Sequence, residues 1–342
     1  MYNKQIIEIN TDLKRTRKAI ISLGCSFVEG QGAVNQEIYD NYEWSMTKTG
    51  IPMSPILTAS QQTTLLSNHP ELLLETGGIN WTFMEYQNAF VNILCKKYFD
   101  AGYTPINFGL RGKGNRASIK SLYFHPQLNW QDIDELIVIY VPSGPERFDF
   151  VSDEFNEHQQ FQCAWPWYED QEKSPRKTLW KGYGTAIYSE KSAMLEQISN
   201  VIELENWCKL KNAKLIITPG FDRSYKKERF NEIIQNTVER NHLQQTTKYT
   251  DYAHDKKTTR RSVADQTIFN AIVEQWPWDK MFVPQGCNTF MDLCLKQEGL
   301  EHTGYWDYNG KGTPNYWITK CCHPSAKGHD LFAQELFKFI TA

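Results

Sequence analysis

The chain has 342 residues, 40% hydrophobic and 23% charged, with a formal net charge of −3. That is the balance of an ordinary folded protein, long enough for one large domain with insertions or for two average ones. It lacks the basic excess of a protein that tracks nucleic-acid backbone. It also holds no apolar stretch of signal-peptide or membrane-spanning length, so the expectation is a cytoplasmic protein with neither nucleic acid nor membrane as partner. Eight cysteines at irregular spacing read as reduced thiols rather than a disulfide scaffold.

The first strong element is the apolar run 18–23, which ends at Gly24-Cys25-Ser26 and reads as a buried parallel strand. Residues 33–80 are polar, with Pro52, Pro55, Pro70 and a Gly77-Gly78 pair, and read as an excursion from the sheet. Apolar residues then recur at helical spacing over 81–99, and Gly102 is a plausible end to that helix. A second strand, 103–108, enters the glycine-rich turn 109–115, and a helix follows. A third, 135–141, stops at Pro142-Ser143-Gly144. The aromatic segment 150–184, with Trp165-Pro166-Trp167-Tyr168 and Trp180, reads as a second insertion. A helix over 186–211 leads to a fourth strand, 213–218, stopped by Pro219-Gly220. Residues 222–280 form a third, highly charged insertion; a weak fifth strand is expected at 281–283 and a last helix at 326–340.

Strands alternating with helices across long crossovers predict an α/β fold. The expected architecture is a doubly wound, flavodoxin-like parallel sheet of about five strands with helices on both faces, in one domain spanning 1–342. Ligands of such sheets bind beyond the carboxyl ends of the strands. Those ends carry Ser26, the 109–115 turn, Ser143 and Gly220.

Ser26 follows a buried strand on a tight turn, the presentation a nucleophilic hydroxyl needs, although it lacks the Gly-x-Ser-x-Gly pattern of the α/β-hydrolases. Near the other end stands His323-Pro324-Ser325-Ala326-Lys327-Gly328-His329. Pro324 restrains the backbone and Ser325 can cap the last helix, so His323 sits where a base can be held rigidly.

Together, Gly24-Cys25-Ser26-Phe27, the glycine turn and the His-Pro-Ser segment resemble the SGNH (GDSL-like) hydrolase family. The resemblance runs from about residue 18 to the end, with insertions that match nothing in that family. It implies Ser26 as nucleophile and His323 as its base, with oxyanion donors from the amides of Ser26 and Gly112. Two positions depart from the family pattern. No Asn follows the third strand, so Asn115 and Ser143 are the candidates for a third oxyanion donor. Lys320 stands where the family has Asp, so the second ring nitrogen of His323 must donate to a backbone carbonyl or to a carboxylate such as Asp292 or Asp307. The implied activity is a serine esterase without cofactor or metal, acting on small acyl esters, with acetyl groups on a glycan as the first candidate. With an ordinary imidazole pKa near ~6.5, its rate would rise from mildly acid to mildly alkaline pH. The combination also looks like SGNH proteins encoded by bacteriophages, which implies a virion-associated role. The rival reading is a non-catalytic binding or structural protein on the same frame.

Other signals are weaker. The 109–114 turn has the wrong spacing for a dinucleotide loop. Cys287, Cys294, His302, Cys321, Cys322 and His323 contain no Cys-x-x-Cys pair for zinc. Lys256, Lys257, Arg260 and Arg261 read as a solvated face. Trp165 to Tyr168 are either local core or the lining of a groove.

Overall fold

A computed structural model describes residues 17–34, 43–46, 52–74, 79–99, 102–123, 130, 132–151, 161–164, 190–221, 225–235, 270–284, 286–301 and 312–342. Four strands form its central sheet: β1 (Lys18–Gly24), β4 (Thr104–Gly109), β5 (Glu135–Val141) and β8 (Lys214–Ile217), in the spatial order β4-β1-β5-β8 and all parallel. This is the flavodoxin-like order expected of a doubly wound sheet. The fifth strand is reduced to one parallel bridge, Ile217 to Met281, with Phe282 N–H donating to the Ile217 carbonyl at 2.8 Å. Pro284, two residues on, has no N–H to extend the pairing.

Alternation along the strands divides the core into two layers. Ala19, Ile21 and Leu23 of β1, with Leu136, Val138 and Tyr140 of β5, face one side. They pack there against α5 (Asn115–Tyr123), α6 (Glu190–Leu210) and α7 (Lys227–Gln235), through Leu122, Ile198 and Phe230. Ile20, Ile137, Ile139 and Val141 face the other side, covered by α1 (Ser26–Glu29), α4 (Phe90–Ile93), α8 (Phe290–Lys296) and α9 (Ala326–Thr341). Strands buried on both faces explain why these runs are continuously apolar rather than alternating.

The helix expected over 81–99 is instead two pieces: α3 (Trp81–Gln87), then α4, which continues as a π-helical turn over Leu94–Tyr98. Ala89 is extended between them, with φ −67° and ψ 144°. Long-range bonds make the break. Asn88 donates its side-chain amide to the Ala33 carbonyl at 2.7 Å, and the Phe90 N–H donates to His329 Nδ1 at 3.2 Å. Local periodicity carries no trace of either partner.

The excursions hold more regular structure than expected. Residues 33–80 include an antiparallel pair, β2 (Glu43–Met46) and β3 (Pro52–Ile56), and helix α2 (Ala59–Asn68), which Thr58 and Gln61 close with a capping box. In the second insertion β6 (Phe148–Val151) pairs antiparallel with β7 (Phe161–Ala164). Trp165 to Tyr168, Trp180, residues 186–189, the basic run 256–261, His302 and Asp307 lie outside the described residues. Among the described residues no helix is long and apolar enough to cross a membrane.

Register sets the site. Gly24 lies level with Gly109 on one side and Val141 on the other. Residues 25–26, 110–114 and 142–144 therefore leave the sheet side by side at its carboxyl edge.

Candidate active site

Ser26 is the first residue of α1. Its N-cap, Cys25, makes no side-chain bond to the first turn, and among the described residues no acceptor engages the Ser26 N–H. An uncapped first turn leaves such donors available to a ligand. The 107–111 segment lies directly across this helix. Asn107 Nδ2 donates to the Val28 carbonyl at 2.8 Å, and Leu110 N–H donates to the Gly24 carbonyl at 2.9 Å. The approach is close enough at Gly109 that a Cβ there would fall 2.2 Å from the Glu29 nitrogen, so only glycine fits.

His323 arrives from the far end of the chain on a short doubled-back turn. Ile318 and Pro324 pair as an antiparallel bridge, and the His323 carbonyl accepts from Thr319 N–H at 2.8 Å and Thr319 Oγ1 at 3.0 Å. Cys322 takes φ +61°, a left-handed conformation that non-glycine residues avoid. Ser325 then caps α9, accepting from Gly328 N–H at 3.2 Å, as its sequence position suggests. Within this turn His323 Nδ1 lies 2.6 Å from the Cys321 carbonyl, and Nε2 lies 2.7 Å from Ser26 Oγ. A carbonyl oxygen only accepts, so the Nδ1 hydrogen points to Cys321. The neutral ring therefore offers the Nε2 lone pair to the Ser26 hydroxyl, the tautomer a general base requires.

Of the two means considered for orienting the ring, the carbonyl is therefore in place. Asp292 is engaged elsewhere, accepting from Asn288 N–H at 3.0 Å beside the start of α8. Both residues are nearly desolvated, Ser26 at 6% and His323 at 5% exposure, and the Phe27 ring centroid lies 5.0 Å from the imidazole. Burial drives His323 below its ordinary value, to about 3. The Cys321 carbonyl opposes this shift, and the positive charges of Arg111 and Arg147 add to it. The imidazole thus stays neutral below the pH at which a solvated ring takes up a proton.

Gly112 lies at the exposed apex of a turn closed by Lys113 N–H donating to the Leu110 carbonyl at 3.1 Å. Its φ of +70°, following a residue with negative φ, is the signature of a type II turn with glycine at the third position. Asn115 and Ser143 are brought together with each other. Asn115 Oδ1 accepts from Ser143 N–H at 2.7 Å and Oγ at 3.1 Å, while its Nδ2 donates to the Ser143 carbonyl at 3.1 Å and faces Tyr225 Oη at 3.4 Å. Their polar hydrogens are directed at one another and at Tyr225. This pairing braces the loop after β5 against the start of α5.

Several charged residues around the site were not singled out by sequence. Buried Asp149, from β6, accepts from Gly114 N–H at 2.7 Å and Ala117 N–H at 2.8 Å, and burial pushes its carboxyl up to about 6 against those two bonds. Arg147 donates to the Lys113 carbonyl at 3.0 Å. On the other side, Arg111 reaches Glu29 Oε2 at 3.2 Å and Glu85 Oε2 at 2.6 Å, and Glu85 Oε1 accepts from Gly32 N–H at 2.7 Å. Glu29 is buried and its carboxyl is pushed up to about 7, with Arg111 pulling the other way. A charge inside Phe27-Val28-Glu29-Gly30 was the one sequence signal available. Asp149 gave none, because its partners are backbone amides in another loop.

Among the described residues no three or more His, Cys, Asp or Glu side chains are grouped to hold a metal ion, and both ring nitrogens of His323 are in hydrogen bonds.

No family profile and no curated protein sequence matches the chain. Among solved structures it is similar to a family two carbohydrate esterase from Clostridium thermocellum in complex with cellohexaose. Identity is 9% and the TM-score 0.36, over 96% of this chain and 65% of that one. It is also similar to a carbohydrate esterase whose active site displays divergent catalytic and non-catalytic binding functions, at 12% identity and TM-score 0.35, over 95% of this chain and 69% of that one. The chain thus spans about two thirds of the length of each.

Proposed function

We propose that the chain is a serine esterase of SGNH type that hydrolyses small acyl esters, with an acetyl group on a glycan as the substrate class. The observation that carries this reading is the 2.7 Å contact between Ser26 Oγ and His323 Nε2, with Nδ1 held on the Cys321 carbonyl. That geometry satisfies the reach and the tautomer a serine nucleophile needs from its base. His323 takes the Ser26 proton as Oγ attacks the ester carbonyl carbon. The amides of Ser26 and Gly112 hold the developing oxyanion. The imidazolium then returns its proton to the departing alcohol oxygen, leaving an acyl-enzyme. Water, deprotonated by the same imidazole, attacks the acyl carbon, and Ser26 leaves as the alcohol. With only 6% of Ser26 exposed, a small acyl group is the better fit.

The test is covalent labelling with a fluorophosphonate, followed by acetate release from acetylated oligosaccharides. Wild type should take the label and Ser26→Ala should not, with acetate release lost in parallel. Failure of both proteins to label, with no acetate released, would replace this reading with a non-catalytic binding or structural role.

A further inference from the structure

The geometry points to Arg111 as a positioning residue for the Gly112 amide, a role that rests on the esterase reading above. The Gly112 N–H belongs to the peptide unit that begins at the Arg111 carbonyl carbon, and that unit is the central peptide of the type II turn. Turns of types I and II differ chiefly by a flip of this peptide. A flip would exchange the N–H of Gly112 for the carbonyl oxygen of Arg111, turning an attraction for an oxyanion into a repulsion. Gly112 itself offers little resistance. It is exposed, and a Cβ built on it would meet nothing within 4 Å.

Asp149 and Arg147 hold the far end of the turn, at Gly114 N–H and the Lys113 carbonyl, and the restraint next to the peptide itself is the Arg111 side chain. Its fork is held in two directions, by Glu29 at 3.2 Å from Nε and by Glu85 at 2.6 Å from Nη2, and Glu85 is itself tied to the Gly32 N–H. Glu29 lies three residues after Ser26 on the same short helix. One guanidinium therefore links the nucleophile's helix to the peptide that carries the proposed oxyanion donor. Glu29 is 1% and Glu85 5% exposed. Two buried carboxylates against one cation is an arrangement that an apolar trio would match or exceed in stability. What apolar side chains cannot supply is a fixed orientation, which a planar fork with two partners does.

Three proteins separate positioning from mere structural support: wild type, Arg111→Met, and the triple variant Arg111→Met with Glu29→Gln and Glu85→Gln. The readouts are urea-unfolding midpoint, fluorophosphonate labelling rate, and kcat and KM for an aryl acetate. Arg111→Met leaves two buried acidic side chains, Glu29 and Glu85, without the donor they share and should be destabilised. The triple variant, with those charges removed, should regain most of the midpoint. Its kcat and labelling rate should nevertheless stay at least about tenfold below wild type with KM within about threefold, since losing one oxyanion donor typically costs ~10²–10³ in rate. A triple variant that regains kcat together with stability overturns the assignment, as does a folded Arg111→Met with wild-type kcat. A wild type that neither labels nor hydrolyses the ester ends the esterase reading and this one with it.

Discussion

At the scale of single residues, the proposed Ser26–His323 dyad is defined by what surrounds it as much as by its two members. His323 is held neutral by burial, while the Cys321 carbonyl that accepts its Nδ1 hydrogen fixes the tautomer and pulls the pKa the other way. On the esterase reading, that neutrality predicts a kcat/KM that does not fall through pH 6.5. The acid limb should lie well below that value, toward the His323 pKa of about 3. A pH–rate profile on a hydrolytically stable ester from pH 4.5 to 8 tests this, and an inflection near 6.5 would mean a solvated ring. The glycines of the neighbouring turn make a second test. Gly112→Ala keeps the backbone N–H and adds a methyl into open space, so its cost in stability is the positive φ alone, about 1–2 kcal/mol. Gly109→Ala must push the Glu29 backbone away and should cost more than about 3 kcal/mol by urea unfolding. Equal effects of the two substitutions would contradict this account.

At the scale of elements, the turn that carries Gly112 is held from two sides. Arg111 ties it to α1 and α3, and Asp149 ties it to β6. Asp149 also serves the start of α5, because its carboxylate takes the Gly114 and Ala117 N–H groups that begin that helix. Asp149→Ala should therefore cost about 1–3 kcal/mol by urea unfolding and lower kcat, whereas Asp149→Asn, which keeps an acceptor oxygen, should recover part of both. How much the sequence revealed follows the same division. The runs of β1, β4, β5 and β8 and the Ser325 cap were legible, because burial on both faces and N-terminal capping leave local patterns. Ser26 and His323 could be paired only through the resemblance, since 297 positions separate them. The break at Ala89, the β6–β7 pair and the Asp149 and Glu85 anchors were not legible. Each depends on a partner from a distant segment, and a window of ten residues contains only half of such a contact.

At the scale of the whole molecule, four buried groups among the described residues, each placed between about pH 3 and 7, act on stability in opposite directions. His323 and His329 are both lowered to about 3 by burial. Their contribution is present above the ordinary histidine value and is lost as pH falls toward 3, because the unfolded chain takes up protons that the fold refuses. Glu29, raised to about 7, and Asp149, raised to about 6, do the reverse. Their contribution is complete below the ordinary carboxylate range and is lost as pH rises through those values. Between about pH 4.5 and 6 two proton uptakes on the histidines of the unfolded chain oppose two retained on the carboxylates of the fold, so the slopes nearly cancel. Below about pH 4.5 these two carboxyls are protonated in both states and, of the four groups, only the histidines still act. Stability should then fall by roughly 2–3 kcal/mol per pH unit, at about 1.4 kcal/mol per proton. Urea midpoints at pH 4, 5, 6 and 7 should accordingly be nearly level from 5 to 7 and much lower at 4. Asp149→Asn removes one of the opposing groups. In that variant stability should rise between pH 4.5 and 6 by about 1.4 kcal/mol per unit, and a level profile there would mean that the Asp149 carboxyl is not the counterweight its burial makes it.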